Sequence, residues 1–195
     1  MILYKRFFIF FVFLSSCLVA KSLSYRDIRL TMRDMFEYHI EYKEMSPLLV
    51  KRSFKLYLEQ FDPNKTYLLK SEALPYLELT TKRVSQFLSD FGKDDYKEYT
   101  SAAALISHAV ERARLLRAEV ISDMLAGAPI AKTSSTSFVD FAKTPKELKA
   151  RIAASIHRYL RLDERTLDGE KLQKSLALID KKLTRREKPY FLATQ

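Results

Sequence analysis

The chain has 195 residues, enough for one domain with a real core, or a domain plus a small appendage, and short for a multidomain enzyme. Its 47% hydrophobic and 12% aromatic content excludes disorder of the whole, and three glycines, Gly92, Gly127 and Gly169, argue against phosphate-cradling loops, strained nucleophile turns and a parallel α/β sheet. The formal charge of +10 is unevenly spread, with thirteen Lys or Arg against seven Asp or Glu in residues 144–195.

The N-terminus, MILYKRFFIFFVFLSSCLVAKS, places Lys5 and Arg6 before an apolar run from Phe7 to Leu14 and ends among small residues. That order predicts a secretory signal over residues 1–22, with a run too short for a spanning helix. Ala20-Lys21-Ser22 offers a cleavage site, giving a mature start near residue 21 or 23 and an exported protein of the periplasm or cell envelope. Leu14-Ser15-Ser16-Cys17 also resembles a bacterial lipobox, in which Cys17 would carry lipid and become the N-terminus. If Cys17 is instead discarded with the signal, the mature chain has no cysteine, and a disulfide, a thiol nucleophile and a thiolate zinc site are all excluded.

The helical domain is expected over residues 23–195. Ser24-Tyr25-Arg26-Asp27 reads as a capping box with Asp for Glu, opening a helix of roughly twenty residues whose apolar face holds Ile28, Met32, Met35, Phe36, His39 and Ile40. Ser46-Pro47 supplies an N-cap and a first-turn proline for a second helix, with Val50, Phe54, Tyr57, Leu58 and Phe61 on one face. Pro63 disfavours helical backbone at Asp62, so this helix ends near Phe61 and the run Thr66 to Leu69 turns back onto it. A further helical segment starts at Ser71-Glu72 and continues through Leu79, Val84, Phe87 and Leu88.

The strongest periodicity lies in residues 94–124, where Tyr99, Ala103, Ile106, Val110, Ala113, Val120 and Met124 recur at steps of three and four if Arg117 fills one position. It predicts one long helix stopped by Gly127 and Pro129 and packed within the chain. Residues 128–143 read as an exposed connection containing the Ser/Thr cluster 133–137, tacked down by Phe138, Val139 and Phe141. Thr144-Pro145-Lys146-Glu147 starts another helix with Leu148, Ile152, Ile156 and Leu160 on its stripe, and a last one runs from about Asp168 through Leu172, Leu176, Ile179 and Leu183. The basic residues here alternate with acids and bring no nucleic-acid motif, which reads as a solvated helix face rather than a nucleic-acid surface. The fold class is all-α, with five to seven helices and neither sheet nor repeat.

Chemistry is sparse. His39, His108 and His157 stand alone in three helical segments without metal spacing, and His108 is the one expected to be partly buried. Ser134 and Ser135 near Lys132 lie in a connection that lacks an oxyanion pocket, and the pairs Asp94-Asp95 and Asp163-Glu164 fit helix starts and turns. No catalytic, cofactor or metal residue is expected; the one candidate modification is lipid on Cys17.

The run Leu49-Val50-Lys51-Arg52-Ser53-Phe54, then Tyr57-Leu58-Glu59-Gln60-Phe61-Asp62-Pro63-Asn64-Lys65-Thr66-Tyr67-Leu68-Leu69, resembles the N-terminal helical domain of bacterial tail-specific (C-terminal processing) proteases. The later helices follow in the order that family would have, so the resemblance covers essentially the whole mature chain. In that family the helical domain precedes a PDZ domain and a serine protease domain with a Ser-Lys dyad, and helps form a bowl for unfolded C-terminal tails. Gln195 comes before either would begin, so the dyad has no matching positions here. The resemblance implies a truncated, split or retained non-catalytic domain, inactive alone, that binds a protease domain in trans, an envelope adaptor or unfolded substrate. An independent periplasmic helical protein, using its basic last helices against anionic lipid or an acidic partner, is the alternative.

Overall fold

A computed structural model describes residues 24–127, 138–161 and 169–192. The expected signal segment with Cys17, the cluster around Ser134 and Ser135, and the Asp163-Glu164 pair lie outside the described residues. Seven helices form, and no strand occurs among the described residues: α1 Tyr25–Tyr38, α2 Pro47–Phe61, α3 Lys70–Leu77, α4 Thr81–Phe91, α5 Lys97–Leu125, α6 Pro145–Arg161 and α7 Gly169–Leu192. The chain divides into two compact units, Met1–Glu44 and Met45–Gln195.

In the first unit the expected capping box of α1 is present: Ser24 Oγ accepts from Asp27 N, and the Asp27 carboxylate accepts from Ser24 N at 3.0 Å. The helix is shorter than its periodicity suggests, because His39 leaves helical backbone and its Nδ1 accepts from Glu41 N and Tyr42 N. Ile40 therefore lies past the helix end and is exposed, and no residue of α1 is buried.

In the second unit α5, about 44 Å long at 1.5 Å per residue, threads three apolar clusters. Near its start Ala102 meets Val50, Phe54, Leu79, Val84 and Phe87. Farther along, Ile106, Ala109 and Val110 meet Leu58, Phe61, Leu68 and Phe141, and beyond them Ala113, Val120 and Met124 meet Leu148, Ile152, Ile156 and Leu176. Phe54 anchors the first cluster, its ring stacked on Tyr99 at 4.6 Å between centroids and meeting Phe87 edge-on at 5.8 Å.

The segment after Ser71 is two helices rather than one. Leu79 is buried in the break, and Thr80 caps α4 by accepting from Arg83 N. Thr144 and Pro145 start α6 as expected, but the Glu147 carboxylate accepts from Lys143 N, one residue before the capping-box position. Phe141 is buried and Phe138 lies beneath the Arg151 guanidinium, whereas Val139 is exposed and anchors nothing. Among the described residues the one ladder-like contact is an isolated parallel bridge between Leu69 and Ala142.

Candidate protein-binding site

The turn after α2 is where local sequence becomes tertiary structure. Asp62, fully buried, accepts from Thr66 N at 2.8 Å and from Tyr67 N and Leu68 N at 3.0 Å each. Pro63 and Asn64 make the bend and Lys65 adopts φ 55°, so one carboxylate collects three consecutive donors as the chain reverses. Burial pushes the Asp62 pKa up, and the three amide bonds pull it back without cancelling the shift. The reversal drives Leu68 into the core and lays the Tyr67 ring against Phe61 at 5.2 Å.

Tyr67 then joins three helices. Its carbonyl accepts from Arg112 Nη2 at 2.9 Å, and that guanidinium also binds both carboxylate oxygens of Glu72. Its hydroxyl donates to Glu187 Oε1 at 2.9 Å. Glu187, only 2% exposed, also accepts from Arg114 Nε at 2.9 Å and from Arg117 Nη1 at 2.6 Å. Arg117, 3% exposed, reaches Asp180 through Nε at 2.6 Å and Thr184 through Nη2 at 3.2 Å. Asp180, Thr184 and Glu187 are spaced i, i+4, i+7, so one face of α7 holds one guanidinium of α5.

The cluster balances two arginines against two carboxylates. Burial works against the Arg117 charge, but the bonds to Glu187 and Asp180 outweigh it and raise its pKa. Burial likewise pushes the Glu187 carboxyl up, and the bonds from Arg117 and Arg114 overcome it, holding the group below the usual range. A carboxylate so fixed in its ionised form is suited to joining helices, not to exchanging protons near neutrality.

On one side of this cluster a cavity of about 30 Å³ lies among Thr66, Tyr67, Arg117, Ser155 and Tyr159, room for a water or two. On the other, a groove of about 470 Å³ runs between α5 and α7, with Ala118, Ile121 and Leu125 along the α5 wall and Asp180 and Thr184 on the α7 wall. Its lining thus mixes apolar side chains of α5 with polar side chains of α7.

The three histidines occupy different structural positions. His39 caps α1, His157 is half-buried on α6, and His108 is exposed because Ile106, Ala109 and Val110 take the inner face of α5 around it. Among the described residues no three His, Cys, Asp or Glu are grouped to hold a metal. Asp95 accepts from Lys97 N just ahead of the α5 N-cap Tyr96, and Asp94 occupies the left-handed turn before it, both in the turn and helix-start role their position suggests. No described helix is long and apolar enough to cross a membrane. The buried Arg117–Glu187 pair was missed by sequence reasoning, although an arginine filling a place in an otherwise apolar stripe was its visible signal.

Two comparisons bear on this arrangement. A family model described as "Tail specific protease N-terminal domain" matches residues 31–191, which takes in the Asp62 turn, the groove and all four members of the ionic cluster. No curated protein matches the chain.

Proposed function

The chain belongs to the tail-specific protease N-terminal domain family, and on that premise we propose that it serves envelope proteolysis as a non-catalytic binding domain, contacting the serine protease part, an adaptor or an unfolded substrate. The observation that carries this reading is the groove between α5 and α7, backed by a cluster that fixes its walls. A recess with an apolar wall and a polar wall, held by the buried Arg117–Glu187 pair, offers another chain a preorganised surface and lowers the ordering cost of association. The basic leader with its apolar run supports placing the protein in the envelope.

The test supplies the purified PDZ and protease part of a tail-specific protease in trans. The labelled full chain should associate with it saturably and accelerate cleavage of an unfolded substrate bearing an apolar C-terminus. Absence of association with the protease part, with that substrate and with an envelope adaptor would remove the reading.

A further inference from the structure

Helix α7 carries seven cations, Lys171, Lys174, Lys181, Lys182, Arg185, Arg186 and Lys188, and three acids, Glu170, Asp180 and Glu187. In sequence the two signs alternate; in space they separate. Glu187 is buried against Arg117 and Arg114, Asp180 is drawn to Arg117 at the groove wall with its side chain 48% exposed, and Glu170 stays on the outer side, where it pairs with Lys174 at 2.6 Å. The outer face is thus positive along its length. Lys171, Lys174, Leu178, Lys181, Arg185 and Lys188 follow one another at steps of three and four, all exposed, forming a row about 25 Å long. On α6, by contrast, Lys149 is engaged by Glu119 and Asp123 and Arg151 by Glu147, and the exposed row of α7 stands out as a cationic ridge.

This ridge borders the groove. Thr184 lies on the groove wall, and Lys181 and Lys188 stand three residues before and four after it, on the same side of α7. Across from them, Leu125 is 47% exposed and Ile121 half-buried on α5. An apolar strip and a cationic row therefore run side by side, with Leu178, 67% exposed, set into the row.

We propose that this groove and ridge dock an amphipathic helix of a protein partner that carries a row of Glu or Asp beside an apolar edge. Residues three and four apart on a second helix repeat at the spacing of the α7 cations, so several opposite charges can align while the apolar edge fills the strip between α5 and α7. A lipid surface would meet the ridge but leave the recessed apolar strip empty. The inference rests on the reading as a binding domain and adds to it the site and the chemistry of the partner.

The probe is a three-heptad helical peptide with Leu on one edge and Glu along the flank, titrated against the full chain. Its controls are the same peptide with Gln for Glu, the same with Lys for Glu, and phosphatidylglycerol vesicles. The Glu peptide should bind saturably, more tightly than the Gln form, and less tightly as salt rises. Lys181→Glu/Arg185→Glu/Lys188→Glu, at exposed positions, should weaken it about tenfold or more, equivalent to about 1.4 kcal/mol, and should create binding of the Lys peptide. Leu125→Asp should weaken the Glu peptide as well while leaving the circular dichroism unchanged. Equal binding of Glu and Gln peptides, or indifference to both variants, overturns the proposal. Vesicle binding that needs the α7 cations, together with no saturable peptide binding, replaces it with a lipid surface. Association with the protease part that survives the triple reversal leaves the family-based reading standing and removes this docking chemistry alone.

Discussion

At Asp62 one buried carboxylate organises three amide donors that would otherwise lose their partners when the chain turns inward. Asp62→Ala should therefore destabilise the domain by about 2 to 4 kcal/mol, and Asp62→Asn, which keeps the shape but turns an amide donor toward an N–H, by about 1 to 3 kcal/mol. Urea titration of both variants measures this, and equal stability to wild type would contradict the turn's role. Glu187 presents the charged counterpart. Removing its charge leaves Arg117 buried beside a weaker acceptor, so Glu187→Gln should cost about 3 to 5 kcal/mol near neutrality. Its folded pKa is lowered by the two arginines, so the stability it contributes is present above the unfolded value of about 4.3 and is lost as pH falls through the folded value. The difference between wild type and Glu187→Gln should accordingly narrow as denaturation is repeated down that window. A difference that stays constant or widens would show that the charge of Glu187 is not what binds α7 to α5.

At the scale of elements, α2 and α5 carry most of the second unit. Phe54 and Leu58 are fully buried on α2 while Lys51 faces solvent. Phe54→Ala or Leu58→Ala should cost about 2 to 5 kcal/mol, and Lys51→Ala within about 0.5 kcal/mol of nothing, as read from chemical denaturation followed by the helical circular dichroism signal. The start of α6 is held by a lighter device. Thr144 Oγ1 accepts from Glu147 N at 3.2 Å, so Thr144→Ala should lower stability by about 1 kcal/mol. Indifference to both core truncations would contradict the packing of α2 against α4 and α5.

For the molecule as a whole, export and catalysis are the properties to measure. Lys5 and Arg6 with the apolar run behind them predict an exported protein that has lost residues 1–20 or 1–22, or begins at a lipidated Cys17. Mass spectrometry of the intact protein decides between these, and Cys17→Ser should block only the lipid route; an unprocessed Met1 on a cytoplasmic protein would sink the assignment to the envelope. On the proposed non-catalytic reading the chain alone should leave peptides uncut, its two buried carboxylates being engaged, Asp62 in holding a turn and Glu187 in joining helices. Turnover of an unfolded substrate after rigorous removal of host proteases would overturn the non-catalytic reading.

Most helix boundaries were legible in the sequence because they are decided by neighbours in the chain. Ser46 and Pro47 open α2, Pro63 closes it, Gly127 at φ 76° follows α5, and Thr144 and Pro145 open α6, each through its own backbone preference or a hydrogen bond spanning a few residues. The inner stripes of α2, α5 and α6 were legible for the same reason: an apolar repeat of three and four residues has one face to bury. Where a partner from a distant segment decided the outcome, the pattern was silent or misleading. His108 sits beside an apolar stripe yet faces water, because the neighbouring helices cover only the Ile106–Ala109–Val110 side. Arg117 looked like a flaw in that stripe until α7, more than sixty residues later, brought Asp180, Thr184 and Glu187 to its guanidinium. The sequence by itself determined an all-α chain and the places where its helices start and stop, since those depend on short-range sterics and capping. Only the tertiary structure decided which charges neutralise one another inside and which remain to face a partner, because that depends on helices that meet in space while standing far apart in the chain.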